Sequence, residues 1–88
     1  MNTLLVDIGN TRIKWALLRG ERLGRQQAAP LAQFPRFARA LARLSKVDAV
    51  VAVCVAGRGA EQLLRSALVA ANLHSPRFLR STQRAGGV

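Results

Sequence analysis

Carboxylates are scarce in this chain: Asp7, Glu21, Asp48 and Glu61 are its four acids, against fourteen Lys and Arg, leaving a formal net charge of +10 over 88 residues. A charge of that sign attracts polyanions. The cations are nonetheless scattered from Arg12 to Arg84 with no long block, and the few aromatics (Trp15, Phe34, Phe37, Phe78) fall in no RNA- or DNA-binding signature. A solvated, arginine-rich surface is the plainer reading, and nucleic acid is not the expected partner. Cysteine is rarer still. With Cys54 alone, no internal disulfide forms, and a reducing cytoplasm is the compartment implied. Cys54 lies in the apolar run Ala49–Ala56 and reads as a small buried hydrophobe. The single histidine, His74, has no second ligand near it, which argues against a histidine metal site.

Long apolar stretches are also missing. Ala49–Ala56 is the longest and far too short to span a bilayer, so no membrane role is expected. No secretory leader is visible, because Asp7 interrupts the only apolar stretch near Met1. There is no Gly-x-x-x-x-Gly-Lys, which excludes a Walker-type phosphate loop. Gly57-Arg58-Gly59 is not a dinucleotide fingerprint either, since the third glycine would fall at Gln62. What is present is a globular composition, half of it hydrophobic, of one-domain length.

The stretch Leu4-Leu5-Val6-Asp7-Ile8-Gly9-Asn10-Thr11-Arg12-Ile13-Lys14-Trp15 organises the rest. Leu4 to Val6 read as a buried strand. Gly9 and Asn10 are turn residues that tolerate positive φ, so the chain reverses just after Asp7. Ile13, Trp15 and Leu17 then recur at the strand period of two. The expected product is a β-hairpin whose tip shows a carboxylate, open backbone N–H groups, a hydroxyl and two cations. Such a set suits a polyphosphate with its Mg²⁺. Amides and the Thr11 hydroxyl cradle phosphate oxygens, Arg12 or Lys14 neutralises charge, and Asp7 holds the metal, directly or through water.

Downstream, Leu23–Ala28 reads as a short polar edge strand, and Pro35 opens a helix to about Leu44. That helix carries a core stripe of Phe34, Phe37, Leu41 and Leu44 and a solvated stripe of Arg36, Arg39 and Arg43. Asp48–Val55 is apolar on both faces, as expected of a central strand covered on both sides. Ala56–Gly59 forms a loop at the carboxyl end of that strand, a place where a ligand can be approached. A second helix follows at Ala60–Asn72, then a turn at His74-Ser75-Pro76, a last strand at Arg77–Ser81 and a closing loop at Arg84–Val88. The order is β-β-β-α-β-α-β, an α/β mixed sheet with helices covering it.

Asp7-Ile8-Gly9-Asn10-Thr11-Arg12-Ile13-Lys14 resembles the first phosphate motif of type III pantothenate kinases, D-x-G-N-T-x-x-K, within the actin-like, sugar-kinase-like ATPase superfamily. The element order resembles the ribonuclease-H-like core of that superfamily's first domain. The resemblance implies ATP-dependent phosphorylation of pantothenate to 4'-phosphopantothenate, the first step of coenzyme A biosynthesis. It further implies Mg²⁺, a monovalent cation (K⁺ or NH₄⁺), a homodimer of the full-length protein, and the cytoplasm. By the same resemblance, residues 7–14 bind the nucleotide, with Asp7 on the metal and Gly9, Asn10 and Thr11 forming the phosphate turn. Lys14 is the catalytic cation and Arg12 the weaker candidate. One departure is large. The family's later Leu-Gly-x-Asp-Arg motif, whose Asp is the proposed base for the pantothenate hydroxyl, has no match here, and Leu23-Gly24-Arg25 lacks the carboxylate. Residues 1–88 are therefore expected to be a partial N-terminal ATPase domain, without the second domain and inactive alone. The competing readings are another actin-like ATPase or sugar kinase, a basic nucleic-acid-binding module, and a nonenzymatic remnant that only folds or pairs.

Overall fold

The alternation around the Gly-Asn-Thr turn produces the hairpin it predicts. In the computed structural model, which describes residues 1–80, β1 (Asn2–Ile8) and β2 (Arg12–Arg19) pair antiparallel. Leu4 faces Leu17, Val6 faces Trp15, Asp7 faces Lys14 and Ile8 faces Ile13. On its other side β1 runs parallel to β5 (Ala49–Cys54), and β5 runs parallel to β6 (Pro76–Phe78).

The expected third strand is two pieces, β3 (Arg22–Leu23) and β4 (Gln27–Pro30), both antiparallel to β2. Register explains the break. Leu18 faces Leu23 while Trp15 faces Gln27, so β2 moves three residues as its partner moves four. The extra residue is a bulge at Gly24–Gln26, a common device on sheet edges. At Gly24 the backbones nearly touch: its N–H donates to the Leu17 carbonyl at 2.9 Å, and a Cβ there would sit 3.1 Å from that oxygen. The sheet order is β3-β2-β1-β5-β6, with β4 beside β3 on the β2 edge.

A 3₁₀ turn at Leu31–Gln33 leads into α1 (Phe34–Ala42), with Pro35 in its first turn. The second helix, α2 (Arg58–Ala70), begins two residues earlier than expected and stops two earlier. Its early start follows from Gly57, whose φ of 94° and ψ of 179° turn the chain directly out of the preceding loop. Its early stop is a Schellman cap. Asn72 takes a φ of 61°, the Leu73 N–H donates to Leu68 O at 2.9 Å, and the Asn72 N–H donates to Val69 O at 3.0 Å.

Both helices cover one face of the sheet. Leu4, Val6, Ile8, Ile13, Val50 and Ala52 form that face and pack against Phe37 and Leu41 of α1 and Leu64 and Leu68 of α2. Trp15 joins them, its ring edge-to-face with Phe37 at 4.9 Å between centroids. On the opposite face Leu5, Val51 and Val53 are only half-buried. The β5 strand is central, as its apolar sequence predicts, but among the described residues it is covered on one side. The last strand is Pro76–Phe78; Ser81 and the expected loop Arg84–Val88 lie outside the described residues.

Candidate phosphate-binding site

Because β1 and β5 are parallel, their carboxyl ends meet at one edge of the sheet, where α/β proteins place ligands. Two segments leave from that edge. The Gly9–Thr11 turn follows β1, and Val55–Gly57 carries β5 into α2. A bond from the Val55 N–H to Ile8 O, at 3.0 Å, ties the two together. The turn is braced internally by the Gly9 N–H donating to Arg12 O at 2.8 Å, and externally by the Leu31 N–H donating to Thr11 O at 2.8 Å.

Neither Gly9 nor Asn10 uses the positive φ that the sequence suggests. A Cβ built on Gly9 would meet only Arg12 O, at an ordinary 3.6 Å. Neither the conformation of this turn nor its packing demands a glycine. Asn10, Thr11 and Arg12 are exposed, and among the described residues the amides of Asn10 and Thr11 make no backbone hydrogen bond.

Asp7 stands one step back from the tip, on the uncovered face of the sheet. Its cross-strand partner is Lys14, with Nζ and Oδ2 3.8 Å apart and side chains 43% and 56% exposed for Lys14 and Asp7. Strand alternation puts Arg12 on the same face as Lys14. Ile8 and Ile13 face the other way and are fully buried in the core. Of residues 7–14, these two can offer a ligand only their backbone. Beside Asp7 and Lys14 lies a shallow trough of about 330 Å³, floored by Leu5, Val51, Val53 and Leu79.

The start of α2 adds a feature that the sequence reading placed only as a loop. Its first amides, at Arg58, Gly59 and Ala60, open toward the same sheet edge, with Gly57 as a cap that offers no side-chain acceptor. The signal is Gly57-Arg58-Gly59 directly after a buried strand. Glu61, in the same first turn, is held by Arg80 at 2.7 Å. That hydrogen bond keeps the Glu61 carboxyl below its ordinary range, against the upward push of partial burial and aided by the charges of Arg80, Arg65 and Arg58. Arg65 and Arg80 also flank the Phe78 ring at 5.1 and 5.3 Å. Cys54 is half-buried, its thiol 3.8 Å from Gly57 O.

Among the described residues no three His, Cys, Asp or Glu side chains converge as a metal cage. Among the described residues, Asp7 alone offers a hard, exposed carboxylate oxygen at this edge. Such a donor fits Mg²⁺, which keeps several waters and takes the rest of its ligands from substrate phosphates.

A family model for type III pantothenate kinases matches residues 3–88. No curated protein matches the chain in sequence. Among solved structures, a Ppx/GppA family member from Aquifex aeolicus superposes with a TM-score of 0.52 at 13% identity, over 94% of this chain and 36% of its own. The type II variant of the Aquifex aeolicus Ppx/GppA phosphatase gives the same TM-score and identity, over 91% of this chain and 36% of its own. This chain thus spans little more than a third of those proteins. At such identity the likeness is one of fold, an α/β mixed sheet as the element order implies.

Proposed function

This chain belongs to the type III pantothenate kinase family, and from that premise we propose that it is the phosphate-binding part of an enzyme transferring the γ-phosphoryl group of ATP to pantothenate. The observation that carries the reading is the register pair Asp7–Lys14 on the uncovered sheet face, one step from the exposed Asn10–Thr11 turn. Phosphoryl transfer asks a protein mainly to position reactants and to stabilise spread negative charge. In this reading the amides of Asn10 and Thr11 and the Thr11 hydroxyl orient the phosphates. Lys14 supplies positive charge to the moving phosphoryl group, with Arg12 behind it. Asp7 holds Mg²⁺, which when bound neutralises charge on the phosphate oxygens. Gly9 leaves open the space through which a phosphate approaches the turn backbone.

Residues 1–88 are, in the same reading, a partial N-terminal ATPase domain whose second domain and acceptor site lie outside this chain. Product formation as 4'-phosphopantothenate, a homodimer and a cytoplasmic setting belong to the full-length protein. A monovalent cation belongs there too, and no residue here is assigned to it.

Isothermal titration of Mg·ATP into the 88-residue chain and into Asp7→Asn tests the assignment. The expected result is weak binding to the first and none to the second, with circular dichroism unchanged. Equal binding by both would remove Asp7 from the site. Pantothenate-dependent ADP release by residues 1–88 alone would overturn the partial-domain reading, because one wall of a cleft cannot fix an in-line attack.

A further inference from the structure

A cavity larger than the trough beside Asp7 lies toward the other end of β2. It holds about 600 Å³, within the range of small-molecule pockets, and lies beside β2 next to the bulge of Gly24–Gln26. Its floor is apolar: Leu4, Trp15, Leu17 and Leu44. Its rim carries Arg19, Arg22 and Arg25, all exposed, and none of them is ion-paired among the described residues. The nearest acid in sequence, Glu21, sits in the β2–β3 turn and makes no ion pair with them. Trp15 is a rigid wall, 9% exposed and fixed edge-on by the fully buried Phe37.

We propose that this cavity binds a small amphipathic anion, a carboxylate or phosphate on an apolar body, at a site separate from the Asp7 edge. The two ends of the pocket call for different chemistry. Three guanidinium groups around one opening repel each other, and an anion between them relieves that repulsion while accepting fork-shaped hydrogen bonds. Half-buried aliphatic surface at Leu17 and Leu44 gains from an apolar tail. A bare anion would leave the floor wet, and a neutral apolar molecule would leave the rim unanswered. Its charged rim is distal, seven strand steps or about 24 Å from Arg12 at the turn to Arg19, while Trp15, Ala16 and Leu23 line both this cavity and the trough beside Asp7. Trp15 and Leu17 lie on the same strand as Lys14, so occupancy there is poised to stiffen the strand that also presents Lys14.

Trp15 is the chain's only tryptophan and lines both this cavity and the trough beside Lys14, so its emission reports binding at either, and the arginine variant with Mg·ATP competition assigns it to one. The 88-residue chain is titrated with decanoate, decyl phosphate, decyltrimethylammonium and inorganic phosphate, all below micellar concentrations. Expected is a saturable emission change with the two decyl anions, none with the cation, and weakening as salt is raised. Replacing both Arg22→Ala and Arg25→Ala, exposed positions, should raise the apparent Kd about tenfold, as the loss of two solvent-facing charge contacts suggests. Mg·ATP should not displace the anion. A response to the cation equal to that of the anions, or a Kd unmoved by both salt and the double variant, would overturn the proposal. So would inorganic phosphate competing as well as decyl phosphate, since the floor would then play no part. Displacement by Mg·ATP would overturn the claim of a separate site. The salt titration on the unaltered chain decides the matter even if the double variant folds poorly.

Discussion

Gly9→Ala separates what the turn needs from what a ligand needs. Gly9 has a negative φ, and a methyl there would find one neighbour, Arg12 O, at a comfortable 3.6 Å. An alanine whose native backbone conformation is permitted restricts the unfolded chain and adds about 0.4–1 kcal/mol of stability. In a domain of this size that corresponds to a rise in Tm of roughly 2–8 °C. The same methyl projects from the turn whose next two amides are open to a phosphate. Denying one charge-assisted phosphate hydrogen bond removes about 1.5–3 kcal/mol, so Mg·ATP binding should fall about 10- to 150-fold. Thermal denaturation by circular dichroism and isothermal titration on the same preparations give both numbers. A variant that is clearly less stable would show that the turn itself depends on glycine. One that is stable and binds Mg·ATP like the parent would show that no ligand approaches this backbone.

In the full-length enzyme, Lys14→Ala should lower kcat/KM more than Arg12→Ala, since the family motif specifies position 14 and leaves 12 free; equal losses would mean that both cations reach the phosphates. Asp7→Asn, apart from its effect on Mg·ATP, should lower Tm by no more than about 8 °C, because the exposed 3.8 Å pair with Lys14 contributes no more than about 1 kcal/mol; a larger drop would make Asp7 a structural residue. Glu61 has its folded pKa lowered from an ordinary 4.5 by Arg80, so its contribution to stability is fully present above that value and is lost as pH falls through the lower, folded one. Urea unfolding between neutral and acid pH should therefore show a smaller acid-side loss in Glu61→Gln, and parallel curves would contradict it.

The hairpin was legible because its two signals agree: apolar alternation sets the faces, and Gly9-Asn10 marks the reversal. Asp7 and Lys14 could be placed on it from spacing alone. What spacing does not carry is the cross-strand register, and register decides that they stand opposite one another on the uncovered face rather than at the tip. The third strand was harder. Gly24 reads as a weak spot in a polar strand, and only the pairing of Leu18 with Leu23 and Trp15 with Gln27 reveals the inserted residue. Val51 and Val53 misled for another reason. Valine favours a strand on whichever face it lies, so an all-apolar run does not tell whether a helix covers its second side. The ends of α2 were misjudged by two residues because Gly57 and Asn72 act through backbone angles, not through periodicity.

The pairing of Asp7 with Lys14 also protects the site against error. Strand side chains alternate strictly, so a slip of β2 by one residue would exchange its faces. Lys14 would be driven in beside Phe37 and Leu41, where an unpaired ammonium is strongly disfavoured, and Ile13 and Trp15 would be turned out to water. The native register keeps those two residues dry and sets the cation across from the carboxylate, and no slip of one residue does either. Two charged side chains with almost no packing of their own thus take their alignment from the hydrophobic layer beneath them. Drift at the polar positions of this hairpin can alter its chemistry, but only a change in the oily face can alter its geometry.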